Sequence, residues 1–111
     1  MLKYPPPTPA EISVFIENDK YVFKTNDDLT IYAFAHDKAG HSECTGECEK
    51  TWPPVTAPAD AHRVGDWTAI ARGDLARQWA YKGRPVYTYV RDEPGKALGA
   101  AMDGAWRIVE P

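Results

Sequence analysis

Two stretches of the sequence match each other and decide the fold. They are IYAFAHDKAG at 31–40 and VYTYVRDEPG at 86–95. Laid over one another without a gap, they agree at a tyrosine, at an aromatic residue two positions later, at an aspartate three positions after that, and at a glycine. Because self-similarity along a chain indicates that one structural unit is used twice, the sequence predicts an internal repeat.

The match extends in both directions from these stretches. Downstream, TWPPV at 51–55 corresponds to AWRIV at 105–109, at nearly the same distance from the tyrosine. Upstream, the aromatic run 21–23 corresponds to 79–81. The two repeats are therefore predicted to span about 21–55 and 79–109.

Each repeat carries a motif of aromatic residues followed by an aspartate. The motif residues are Tyr32, Phe34, Asp37 and Trp52 in the first repeat, and Tyr87, Tyr89, Asp92 and Trp106 in the second. Aromatic residues two positions apart lie on one face of a strand, so each pair is predicted to stack there. The aspartate follows where the chain leaves the strand, and it can accept backbone N–H groups that fix a turn. The alternative is that the two aspartates bind a metal or a substrate.

Short β-prone runs separated by turn residues cover most of the chain. Hairpins are predicted between 21–25 and 29–34, and between 77–81 and 86–90, where glycine and proline in KGRP support the turn. Further strands are expected at 12–16, 67–72 and 105–109, with a short helical turn near 44–51. The predicted fold is mostly β: a compact antiparallel sheet sandwich or partly open barrel made of two pseudo-repeated aromatic hairpins.

Size, charge and hydrophobicity limit the classes of protein that the chain can belong to. With 111 residues it has room for one core. Residues 1–10, rich in proline, are predicted to form an extended leader, and 11–111 a single β-rich domain. The net charge of −3 and the lack of a basic run argue against nucleic acid as a partner. No apolar stretch approaches the ~20 residues of a transmembrane segment.

The ordered succession of motifs resembles the secreted-repeat family of bacteria, described as predicted lipoproteins with a Yx(FWY)xxD motif. The resemblance covers roughly residues 12–110. It implies a periplasmic or extracellular protein, commonly with a lipid anchor on an N-terminal cysteine. Residues 1–9 contain neither an apolar signal region nor such a cysteine. We therefore expect the export signal to be absent from this sequence, and a lipid anchor in the natural precursor stays open.

The segment 36–48 gathers the side chains that could bind a metal. Cys44 and Cys48 are the only cysteines, as expected for one disulfide in an exported protein. Regular helical spacing would hold them slightly too far apart, and Gly46 between them permits the needed distortion. The alternative is a copper or zinc site with His41, Cys44 and Cys48 as ligands, because thiolates and imidazole suit those ions. A redox-active dithiol is a third reading, which the spacing disfavours.

No pattern of catalytic residues is present in the sequence. It has no Ser-His-Asp order, no phosphate-binding glycine loop and no paired catalytic carboxylates. We therefore expect a non-enzymatic binding or interaction module of the cell envelope that needs no cofactor. Its partner would be an envelope protein or a small ligand, and the sequence leaves its oligomeric state open. The rival hypothesis is a copper- or zinc-handling protein that uses 36–48.

Overall fold

The computed structural model describes residues 4–72, 77–101 and 104–111. In this part of the chain the strands form two antiparallel sheets, as expected for a mostly β fold, and they do not close into a barrel. A two-stranded sheet pairs β1 with β2, and a six-stranded sheet has the order β4-β6-β7-β3-β8, with β5 on the other edge of β6. The elements are β1 (Ile12–Glu17), β2 (Lys20–Thr25), β3 (Tyr32–Phe34), α1 (Glu47–Thr51), β4 (Thr56–Ala57), β5 (Trp67–Ala71), β6 (Arg77–Tyr81), β7 (Arg84–Tyr87), a 3₁₀ turn (Leu98–Ala101) and β8 (Trp106–Ile108).

The first hairpin differs from the one that the sequence predicted. β2 forms its ladder with β1, and the turn between them holds Asn18 and Asp19 at positive φ, a conformation that these residue types tolerate well. Between 21–25 and 29–34 there is a single bridge, Lys24 to Thr30. The strand β3 begins only at Tyr32 and pairs with β7 and β8. Alternating hydrophobic residues mark a strand without specifying its neighbour, which explains the difference.

The second hairpin forms in the predicted place, but its turn is shorter and its return strand is Arg84–Tyr87 in place of 86–90. β6 and β7 pair across a two-residue turn, with Tyr81 opposite Arg84. Lys82 and Gly83 occupy the turn at φ values of 49° and 83°. Positive φ at both central residues gives the backbone twist that matches two antiparallel strands.

The two repeats exchange their last strands. β8, which ends the second repeat, pairs with β3 of the first, and Val109 N–H donates to Ile31 O at 2.9 Å. In the same way the end of the first repeat runs along β7, where Val55 N–H donates to Val86 O at 3.0 Å. Each repeat thus completes the sheet of the other, which makes the two halves interdependent.

A hydrophobic core fills the space between the β1-β2 hairpin and the larger sheet. Phe23 of β2 contacts Trp67 and Tyr81 of the larger sheet, with ring centroids 5.0 and 4.9 Å apart. These packed aromatic pairs hold the two sheets face to face, as in a sandwich.

The remaining segments lie outside the sheets. In the described part of the leader, 4–10, Thr8 Oγ1 donates to Ile12 O, and Ile12 N–H donates to Pro9 O. The predicted helical turn is the five-residue helix α1. Among the described residues, no helix has the length and apolarity needed to span a membrane.

Candidate functional site

The motif tyrosines and aspartates form crossed hydrogen bonds between the repeats. Tyr32 OH donates to Asp92 Oδ2 at 2.6 Å, and Tyr87 OH donates to Asp37 Oδ2 at 2.6 Å. Tyr32 and Tyr87 are direct partners in the β3-β7 ladder. This register places the first residues of the two motifs side by side, and the turn after each strand brings the aspartate to the tyrosine of the other repeat. The motif therefore joins one repeat to the other.

A turn holds each aspartate where the strand ends. Asp37 N–H donates to Phe34 O at 3.1 Å, and Asp92 N–H donates to Tyr89 O at 3.0 Å. Each carboxylate also accepts a backbone N–H further along the chain, which is the turn-fixing contact that the sequence suggested. These contacts occupy both oxygens of each carboxylate with donors from the protein.

Four of the aromatic motif residues form a continuous stack between the two repeats. Trp52 and Trp106 lie face to face with ring centroids 3.8 Å apart. Phe34 stacks on Trp106 at 4.4 Å, and Tyr89 lies against Trp52 at 4.6 Å. The indoles are 6% and 7% exposed, so most of their surface is used in packing between the repeats.

Asp37 lies in a buried polar pocket. Glu43 N–H donates to Asp37 Oδ1 at 2.6 Å, and Ser42 Oγ lies 2.6 Å from the Tyr87 hydroxyl. Burial raises the pKa of Asp37 above its ordinary value, while the hydrogen bonds from Tyr87 and Glu43 act in the opposite direction. Burial also raises the pKa of Tyr87 well above its ordinary value, so this hydroxyl stays protonated as a donor.

A buried arginine that sequence reasoning missed completes this pocket. Arg72 donates to Gln78 Oε1 and to Glu49 Oε2, both at 2.7 Å, and also to Cys44 O at 3.1 Å. It further donates to Ser42 Oγ at 3.1 Å. Arg72 and Gln78 belong to strand-forming runs, and nothing in the local sequence marks either as buried. The burial of Arg72 depends on contacts with Ser42, Cys44 and Glu49, which lie 23 to 30 residues earlier in the chain.

Cys44 and Cys48 form a disulfide, with Cα atoms 5.1 Å apart. The bond uses both sulfurs, so this structure offers no thiolate to a metal. His41, the third predicted ligand, is exposed and lies 3.6 Å from Glu43 Oε1. Within the described residues, no cluster of three or more His, Cys, Asp or Glu side chains could hold a metal ion. The geometry therefore lends no support to the copper or zinc alternative.

We call the turn that holds each motif aspartate, together with its hydrogen-bond partners, a corner. Fewer side chains surround Asp92 than surround Asp37, because a glycine backbone lies beside Asp92. Gly99 N–H donates to Asp92 Oδ1 at 2.9 Å. A Cβ added at Gly99 would lie 2.9 Å from Cζ of the Tyr32 ring, so a larger residue would displace the tyrosine that donates to Asp92. Here the absence of a side chain lets the backbone approach the crossed pair.

Two grooves lie at related positions in the two repeats, and each has a volume of about 360 Å³. The first is lined by Ala33, Phe34, Ala35, Arg84 and Arg107. The second is lined by Glu11, Thr25, Asn26, Asp27, Leu29, Pro54, Val55, Thr56 and Thr88. Counting from the motif tyrosines, Ala33 corresponds to Thr88 and Arg84 corresponds to Leu29. The repeats thus share a groove position and differ in its chemistry.

The protein is a two-repeat β domain. Its repeats pair their strands in one sheet, and the motif residues connect one repeat to the other. A family model described as a secreted repeat of unknown function matches the chain twice, at residues 13–56 and 68–110. Together these matches cover more than half of the chain, and the protein belongs to this secreted-repeat family. The matched segments include most of β1 and β5, so each begins with the hairpin strand that precedes the aromatic run. No curated protein and no solved structure matches the chain.

Proposed function

We propose that the protein is a non-enzymatic binding module of the bacterial cell envelope, in which the motif residues build the scaffold and the grooves bind the ligand. The observation that carries this proposal is the crossed pair of hydrogen bonds between Tyr32 and Asp92 and between Tyr87 and Asp37. A carboxylate held by a tyrosine and by a backbone N–H serves the fold. The capacity to bind then lies in the surface that the scaffold presents.

A location outside the cytoplasm is consistent with the family and with the disulfide. The family is described as secreted, and disulfides persist in oxidising compartments such as the periplasm. A periplasmic or extracellular protein, with a lipid anchor in its natural precursor as an alternative, fits both observations. The pattern Yx(FWY)xxD fits the residues from Tyr32 to Asp37 and from Tyr87 to Asp92, which supports the lipid-anchored alternative.

The groove positions support binding because the two repeats keep the cavity while changing its lining. Alanine in one groove and threonine at the equivalent position of the other leave both open. Different linings at equivalent places are what a module with separate binding surfaces would present.

The proposal is tested by nuclear magnetic resonance on the ¹⁵N-labelled full chain. Three probes are added separately: soluble peptidoglycan fragments, phosphatidylglycerol vesicles, and a neutral glucose oligomer. We expect at least one probe to cause saturable shifts or broadening of backbone amides at a groove, with little change at the exposed helix α1. Saturable changes at neither groove with all three probes would contradict the proposal.

The same protein, purified under native conditions, tests the metal-handling rival. Free-thiol titration together with elemental analysis should give no free thiol and no copper or zinc, because the disulfide uses both sulfurs. Two free thiols with a stoichiometric metal would replace the proposed function by the rival.

A further inference from the structure

The groove at Ala33 is flanked by two arginines on one face of the larger sheet. In the strand register, Ala33 of β3 lies opposite Val86 of β7 on one side and opposite Arg107 of β8 on the other. Directly opposed residues share a face, and Arg84 lies two residues before Val86, so it shares that face too. Arg84 and Arg107 therefore stand on either side of β3, above a floor formed by Ala33.

The guanidinium groups of these arginines are not neutralised by carboxylates in the described chain. Arg84 donates one N–H to the backbone oxygen of Asp37 at 3.1 Å, which orients the group and leaves its other donors available. Arg107 is exposed, and its guanidinium makes no hydrogen bond or ion pair with any residue whose position is described. The nearby Asp37 carboxylate is engaged by Tyr87 and Glu43 N–H. The groove thus concentrates positive charge in a protein whose net charge is −3.

The related groove of the other repeat lacks these arginines. At the equivalent positions of the other repeat, Leu29 replaces Arg84 and Pro53 replaces Arg107. The related groove carries the acidic residues Asp27 and Glu11 instead. Because the other repeat carries no arginine at these positions, the charge belongs to this groove and not to the repeated motif, which supports a role in binding a ligand.

We infer that the groove formed by Ala33, Ala35, Arg84 and Arg107 binds the phosphate group of a phosphate ester. Arginine binds phosphate through several parallel N–H donors. A phosphate monoester carries up to two negative charges, so it balances two guanidinium groups better than a carboxylate, which carries one. Ala33 and Ala35 offer apolar surface to the organic part of the ester. This inference rests on the proposed function and names the ligand chemistry of one groove.

The test is titration of the ¹⁵N-labelled full chain with glycerol 3-phosphate, and separately with phosphatidylglycerol vesicles. The two arms distinguish a soluble ester from a lipid headgroup. We expect one of them to perturb the amides of 33–35, Arg84 and Arg107, and the apparent affinity to fall as salt rises. Arg84→Gln and Arg107→Gln should each weaken binding about tenfold, since each removes charge-assisted hydrogen bonds. Arg91→Gln, at an exposed arginine outside the groove, should leave binding unchanged.

The outcomes separate this inference from the proposed function. Glucuronate binding as tightly as glycerol 3-phosphate would contradict the assignment to phosphate. Binding that survives both groove substitutions, in variants whose spectra retain the native fold, would contradict the assignment to the groove. If neither phosphate probe acts while peptidoglycan fragments still perturb a groove, the inference is wrong and the proposed function stands.

Discussion

The corners around Asp37 and Asp92 are built from one motif and have different surroundings. Each aspartate accepts a tyrosine hydroxyl at 2.6 Å and a backbone N–H. Asp37 is buried beside the Arg72 network and the disulfide loop, whereas Asp92 is half-buried and meets the glycine backbone of the 3₁₀ turn. The motif thus determines how the repeats connect, and the segment that follows it determines how polar and how closed each corner is.

Because of this difference, the corner at Asp37 depends on more hydrogen bonds within the protein than the corner at Asp92 does. A buried carboxylate and a buried guanidinium are stable only while their hydrogen bonds are complete. Arg72 supplies donors to Cys44 O and Glu49, and so ties the disulfide loop to β6 through Gln78. Removing one group on the Asp37 side leaves several others unsatisfied, while water can replace a lost partner at Asp92.

The largest effect is expected from alanine at the two motif aspartates. Asp37→Ala should lower the free energy of unfolding by about 3 kcal/mol, because it leaves the Tyr87 hydroxyl and Glu43 N–H without their acceptor in a buried site. Asp92→Ala should cost about 1.5 kcal/mol, because that corner is partly open to water. Urea unfolding of both variants measures the difference. Equal losses at the two positions would contradict the proposed inequality of the corners.

Removing the disulfide should weaken the first repeat, which contains it, more than the second repeat. The double variant Cys44→Ala, Cys48→Ala should lose about 2 kcal/mol, because the bond restricts a short loop in the unfolded chain. Helix α1 lies in this loop and should exchange its amide hydrogens faster, while the 3₁₀ turn of the second repeat should keep its protection. Hydrogen exchange followed residue by residue measures both. Faster exchange at both places would mean that the loop supports the whole molecule.

The smallest effect is expected from removing one hydroxyl, and it should depend on pH. Tyr87→Phe should cost about 1 kcal/mol at neutral pH. The Tyr87 hydrogen bond opposes the raised pKa of Asp37, so the variant should raise that pKa further. A carboxyl with a raised folded-state pKa favours folding most below its ordinary pKa, and this contribution is lost as the pH rises through the folded value. The cost of Tyr87→Phe should therefore grow from acidic to neutral pH.

Unfolding curves at several pH values, compared with those of the native sequence, measure this trend. Tyr32→Phe is the matched variant for the hydrogen bond itself, and we expect a smaller loss at neutral pH because Asp92 is half-buried. A cost of Tyr87→Phe that stays constant or falls as the pH rises would show that the hydroxyl does not favour the ionised form of Asp37.

Local patterns predicted most of the strands. Alternating β-prone residues predicted β1, β2, β5 and β6, and KGRP predicted the second hairpin, although Arg84 and Pro85 belong to β7 and not to the turn. The pairing of β3 with β7 and β8 could not be predicted, because a short strand with aromatic residues on one face can pair with many neighbours. For the same reason the first hairpin was placed one strand too far along the chain.

The sequence indicated the motif residues, but it indicated neither their connections nor the residues of the grooves. The repeat marked Tyr32, Tyr87, Asp37 and Asp92 as belonging together, and the cysteine spacing allowed the disulfide among other readings. The crossing of the hydrogen bonds was not visible, since each tyrosine donates to an aspartate 50 or 60 residues away. The burial of Arg72 and the alignment of the two grooves depend equally on long-range packing.

The sequence by itself therefore determined the repeat, the strand-forming segments and the corner aspartates, because these depend on residue type and on spacing along the chain. Only the tertiary structure decided that each tyrosine donates to the aspartate of the other repeat. It also decided that Arg72 is buried and that Arg107 is exposed in a groove. These outcomes depend on strand pairing across the molecule. Neither local conformational preference nor hydrophobic periodicity carries information about distant partners.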